Sequence, residues 1–94
     1  MQIQFEQSAS KGSFFIMENN QRLADMTFSK AGDHLLIIDH TEVSDALRGK
    51  NVGKQLVATA VEYARKNNLK ILPLCPFTKS VFERVLEYQD VLDR

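Results

Sequence analysis

Apolar residues first alternate along this chain and later recur every four positions. In "QIQFEQ" Ile3 and Phe5 are separated by polar residues, the period of a half-buried strand. "SKG" supplies turn residues, and "SFFIME" continues as a second strand. Asn19 and Asn20 follow, and both tolerate the left-handed backbone of a tight hairpin. "RLADMTFS" puts Ala24, Met26 and Phe28 on one face and Leu23, Asp25 and Thr27 on the other, so the first set is the expected core side. "KAGD" turns the chain again before "HLLIIDHTEV". The apolar block at residues 35–38 has no polar alternation, as expected of a strand in the middle of a covered sheet.

From Val52 the period changes. Val52, Leu56, Ala60 and Ala64 are spaced by four, with Val57, Val61 and Tyr63 beside them, which predicts a helix of about four turns. "KNN" ends it, with Asn67 or Asn68 as the left-handed cap. "LKILPL" is a short strand whose Pro73 suits an edge, a bulge or a strand end. "TKSVFERVLEY" then places Val81, Phe82, Val85 and Leu86 on one face of a second helix, started by a capping box of Ser80 and Glu83 or by Thr78. The order β-β-β-β-α-β-α defines an α+β fold, a mostly antiparallel sheet with two covering helices. Its fifth strand is expected parallel to the fourth, after a right-handed crossover.

Length allows one domain, residues 1–94. With 44% hydrophobic and 26% charged residues the chain is globular rather than disordered. Twelve basic residues balance twelve acidic ones, so no global field draws the protein to nucleic acid or an anionic membrane. Any attraction for an anion must be local. A single cysteine, Cys75, excludes an internal disulfide and a thiolate-rich zinc site, and no metal is expected. The N-terminus lacks a basic stretch followed by an apolar one, and no apolar run could span a bilayer. These features predict a soluble cytoplasmic protein, a monomer or weak dimer.

The chemistry concentrates in "DHTEVSDALRGKNVGKQLV". Arg48, Lys50 and Lys54 surround the start of the long helix, where partial positive charge disfavours cations. Gly49 and Gly53 let a ligand approach the backbone, and Asn51 can adopt a positive φ. A diphosphate bound to the free amides would turn this local cost into attraction. The alternative is a set of solvated surface cations whose effects are screened. Neither the Walker spacing nor the Rossmann glycine pattern is present.

The stretch does resemble Gln/Arg-x-x-Gly-x-Gly/Ala, the pyrophosphate loop of GNAT superfamily acetyltransferases, with Arg48 first, Asn51 in place of the first glycine and Gly53 last. Together with "LCPFTKSVFER" and "EYQDVL", it resembles a compact GNAT subfamily of about this length. The resemblance implies an acetyl-CoA-dependent N-acetyltransferase acting on an unidentified amine. Thr41, Glu42 and Val43 would pair with the pantetheine arm, and Arg48, Gly49, Lys50, Asn51, Val52, Gly53 and Lys54 would hold the pyrophosphate. Strands four and five of this fold splay apart, and His40 and Cys75 would face the gap.

Acetyl transfer to an amine needs a proton acceptor and a proton for the departing thiolate. An imidazole suits the first, which makes His40 the candidate base. Cys75 could return a proton to the CoA sulfur or become acetylated itself; direct transfer is the expected route in this superfamily. Structural readings stand beside these: a packed cysteine between prolines, and a histidine held by Asp39. Phe77 and Phe82 are expected in the core or a groove wall, and Tyr88 is a weaker proton-donor candidate. The resemblance lacks the N-terminal helices that shape the acceptor site of larger members. A CoA-binding or protein-interaction module with little turnover is therefore the competing expectation, ahead of nucleic-acid binding through the three cations.

Overall fold

The computed structural model describes residues 2–93. Its elements follow the expected order: β1 (Gln4–Ser8), β2 (Lys11–Glu18), β3 (Gln21–Ala31), β4 (Leu35–Val43), α1 (Val52–Lys66), β5 (Lys70–Pro73) and α2 (Pro76–Arg84). Short 3-10 segments occupy Asp45–Leu47 and Leu86–Val91. The five strands lie side by side in chain order, antiparallel as far as β4, with β5 parallel to β4.

Local chemistry explains the turns. Asn19 and Asn20 take φ of 51° and 63°, closing the β2–β3 hairpin with the left-handed pair that its twist favours. The preceding turn falls on Ala9 and Ser10, earlier than "SKG" suggests, because Lys11 and Gly12 already pair with β1. Gly12 is needed inside that strand: a Cβ there would lie 2.3 Å from the Glu6 carbonyl oxygen and 2.6 Å from Phe28 Cζ.

Ala24, Met26 and Phe28 are buried with Phe14, Ile16, Leu36 and Ile38, as their alternation requires. The α1 stripe of Leu56, Val57, Ala60, Val61 and Ala64 closes this core, and Val81 and Phe82 of α2 join it. Leu35 and Ile37, on the other face of β4, are only half-buried. The apolar block is thus not packed on both faces, contrary to the expectation from its sequence. Pro73 ends β5, at the sheet edge, where its missing N–H costs no ladder bond.

The start of α2 also differs from expectation. Cys75 is the N-cap and Pro76 opens the helix, a position its fixed φ suits. Ser80 and Thr78 are therefore interior; Ser80 Oγ donates to the Phe77 carbonyl (2.7 Å) and Thr78 is fully buried. The helix ends at Arg84, so Leu86 falls in the 3-10 segment and projects into solvent. Tyr88 packs edge-on against Phe82. Among the described residues no helix is long and apolar enough to cross a membrane.

Candidate active site

Strand β4 outruns its parallel partner. Pairing with β5 ends at Ile38↔Pro73, and the amides of Leu74 (3.0 Å) and Cys75 (3.3 Å) both donate to the Ile38 carbonyl. Residues 39–43 continue against β3 alone, which leaves the other edge of β4 open. The Ser44 amide donates to Leu23 O (2.7 Å), so by antiparallel alternation the N–H and C=O groups of Thr41 and Val43 point to that open edge. A ligand with its own amides can bond there as an added strand does.

A bulge at Asp39 governs the side chains. Thr27 is opposite His40 while Phe28 is opposite Ile38, so Asp39 is an extra residue in β4. The alternation shifts by one: Leu36 and Ile38 face the core, and so do Thr41 opposite Met26 and Val43 opposite Ala24. His40 and Glu42 face the other way, His40 Nε2 lying 3.4 Å from Glu42 Oε1 with both side chains exposed. They border a cleft of about 340 Å³ that also takes in Asp25 and Arg22. Arg22 donates to Asp25 Oδ2 (2.9 Å) and Glu6 Oε2 (3.1 Å) and lies 4.0 Å above the Phe15 ring. His40 and Cys75 therefore do not face one gap from the same side; β4 stands between them.

Cys75 lies on the core side, buried at the start of α2. Burial pushes its thiol pKa up. The backbone N–H of Thr78, the Thr41 hydroxyl, the Phe77 N–H and the Thr78 hydroxyl outweigh this and hold the thiol below its ordinary value. Thr41 Oγ1 and Thr78 Oγ1 are 3.5 Å apart, one reaching from β4 and the other from α2. The sequence assigns Thr41 a backbone role only and offers Thr78 as an alternative helix cap, not as a neighbour of the thiol. The signal was Cys-Pro followed by Thr at the third position of a helix, where a hydroxyl returns toward the N-cap.

Beyond β4 the chain makes the 3-10 turn Asp45–Leu47, where Ser44 Oγ accepts from the Ala46 amide (3.2 Å). Gly49 takes φ of 83° and Asn51, the N-cap of α1, takes φ of 57°, so both adopt left-handed backbone. The Asn51 side chain makes no cap bond, and the first turn of α1 contains no acidic residue. Its leading amides have no intrahelical acceptor. Arg48 reaches back to Asp45 Oδ1 (2.6 Å), a solvent-exposed pair of the kind that contributes little. Among the described residues Lys50 and Lys54 form no ion pair. Of the three cations around this helix start, Arg48 is thus locally paired.

These parts enclose a cleft of about 360 Å³ between Thr41 and Val43 on one side and Gly49, Asn51 and Gly53 on the other, with Phe77 as a wall. Phe82, by contrast, is core. The cleft joins a strand edge with free amide groups to an uncapped helix start; Cys75 is buried and does not line it. Among the described residues no group of three or more His, Cys, Asp or Glu is placed to hold a metal ion.

Residues 13–91 match the family described as GCN5-related N-acetyl-transferase. No match was found among curated proteins. A solution structure of a GCN5-like candidate N-acetyltransferase from Staphylococcus aureus is 42% identical, with a TM-score of 0.71 over 96% of this chain and 87% of that one. The ribosomal-protein-alanine N-acetyltransferase of Brucella melitensis shares the fold (TM-score 0.68, 16% identity), matching 83% of this chain and 62% of its own. A candidate streptothricin acetyltransferase from Bacillus anthracis, solved with acetyl coenzyme A, does so too (TM-score 0.59, 20% identity, 82% of this chain and 46% of that one).

Proposed function

The chain belongs to the family of GCN5-related N-acetyltransferases, and from that premise we propose that it transfers acetyl directly from acetyl-CoA to an amine. The observation that carries the reading is the continuity of one cleft from the open β4 edge to the uncapped start of α1. Thr41 and Val43 offer backbone groups to the pantetheine amides, with Glu42 between them. The stretch from Arg48 through Gly49, Lys50, Asn51, Val52 and Gly53 to Lys54 offers amides and cations to the diphosphate. The acetyl coenzyme A held by the Bacillus anthracis relative supports the same cofactor here.

The positions of His40 and Cys75 support a division of labour. With the thioester at the open edge, the acceptor approaches from the face carrying His40, and the sulfur lies toward Cys75 on the core side. The neutral amine attacks the carbonyl carbon and its proton passes to His40, directly or through water. The tetrahedral oxyanion collapses, the C–S bond breaks, and the CoA thiolate takes the proton of the Cys75 thiol. The imidazolium and the Cys75 thiolate then return to their starting states through solvent.

Release of free CoA in the presence of an amine panel tests the reaction. Cys75→Ser should keep acetyl-CoA binding while lowering turnover, and His40→Ala should lower turnover by about a hundredfold, the low end for general base catalysis. Unchanged rates in both variants would return these residues to structural roles. A second reading, a CoA-binding module without efficient turnover, is favoured by one fact: the chain spans 62% of the Brucella enzyme and 46% of the Bacillus one. Tight binding with no CoA release from any amine would select it.

A further inference from the structure

Phe77 presents a feature that anion binding does not require. Its side chain leaves the first turn of α2 and comes to rest on α1: a Cβ at Gly53 would stand 2.7 Å from the ring's Cζ and 2.9 Å from Cε2. The missing side chain at residue 53 therefore makes the seat for the ring, beside making room for a ligand. Phe77 remains 39% exposed, and Val43 on β4 remains 38% exposed. Both border the same cleft, whose inner residues Leu47 and Val52 are buried. A diphosphate needs amides and cations, and apolar walls give it nothing. Large apolar side chains left half in water beside such a corner suit a ligand whose anionic head continues into an apolar body.

We propose that Phe77, seated on Gly53 and bordering the cleft with Val43, is a specificity-determining wall: it makes the cleft prefer a nucleoside diphosphate that carries a long amide-and-methylene arm over the bare nucleotide. The inference rests on the cofactor assignment above and adds to it the residue that distinguishes the two parts of the ligand. The ring closes the side of the channel away from the strand, so the arm's methyl and methylene groups lose water as its amides bond to Thr41 and Val43.

Calorimetric titration of the full chain with two probes, coenzyme A and 3′-phosphoadenosine 5′-diphosphate, tests this. The wild type should bind coenzyme A more tightly. Phe77→Ala should weaken coenzyme A by about tenfold or more, as expected for the loss of a ring's apolar contact, and leave the bare diphosphate within about twofold. Phe77→Leu, which keeps an apolar wall, should recover most of the loss. Gly53→Ala should displace the ring and weaken coenzyme A, and combining it with Phe77→Leu should restore affinity because the shorter side chain clears the new Cβ. Equal losses for both probes in Phe77→Ala, or none for either, would overturn the proposal while leaving the cofactor reading intact. Failure of the wild type to bind either probe would overturn both.

Discussion

Cys75 combines two properties that usually exclude each other in a protein, burial and a thiol pKa below the ordinary value. Burial alone would favour the neutral thiol; the amides of Thr78 and Phe77 and the two threonine hydroxyls reverse the balance. A proton donor with a lowered pKa gives up its proton readily and is lost to deprotonation earlier as pH rises. The rate of acetyl transfer should therefore fall at high pH, with an inflection below that of an ordinary thiol. Thiol alkylation of the free protein should rise with pH through the same point, and Thr41→Val should move both inflections upward by removing one hydroxyl. An alkylation profile of Cys75 indistinguishable from that of a small-molecule thiol would contradict this account. At this scale the sequence was a partial guide. It identified Cys75 and His40 as reactive types, but Thr78 looked like a helix cap and Arg48 like a free cation. The first difference comes from Pro76, whose preference for the opening position starts the helix before Thr78, and the second from Asp45, which a 3-10 turn brings under Arg48.

The elements were legible where one period ran without interruption. The stripe of α1 and the alternation of β3 led directly to the core residues, since side chains of one type on one face admit one packing. Strand β4 is the instructive exception. Its alternation is broken at Asp39, and nothing in "IIDHTEV" announces a bulge, because a bulge is set by pairing with β3 rather than by local preference. Extending the period of Leu36 and Ile38 would put His40 on the core face, where Thr41 in fact lies. The bulge falls at the residue just past the last pair with β5, where the open edge begins. Deleting Asp39 should straighten β4 toward β5 while keeping His40 opposite Thr27. The expected outcome is a folded protein, with an amide spectrum preserved for β2, β3 and the second half of α1, whose acetyl-CoA affinity falls by about tenfold or more. An unchanged affinity would detach the splay from the bulge.

For the molecule as a whole, the balanced charge means that affinity for an anionic cofactor must be local. Lys50, Lys54 and Arg48 are gathered at one helix start, and the acidic residues Asp25 and Glu42 lie on the opposite face of the sheet with His40. Strand order, the parallel β4–β5 pair and the single core were all readable, because a short chain with this element order can bury its apolar faces in few ways. The acceptor was not readable, since the amine would meet a surface assembled from β3 and β4 after pairing. Every functional statement depends on the cleft between the β4 edge and the start of α1. Amide NMR of the full chain titrated with acetyl-CoA tests it most directly. The largest shifts should fall on Thr41, Val43 and residues 48–54, with Phe77 and Cys75 following, and Arg48→Glu combined with Lys50→Glu should suppress them while the protein remains folded. Saturable shifts elsewhere, with those residues unmoved, would contradict the account.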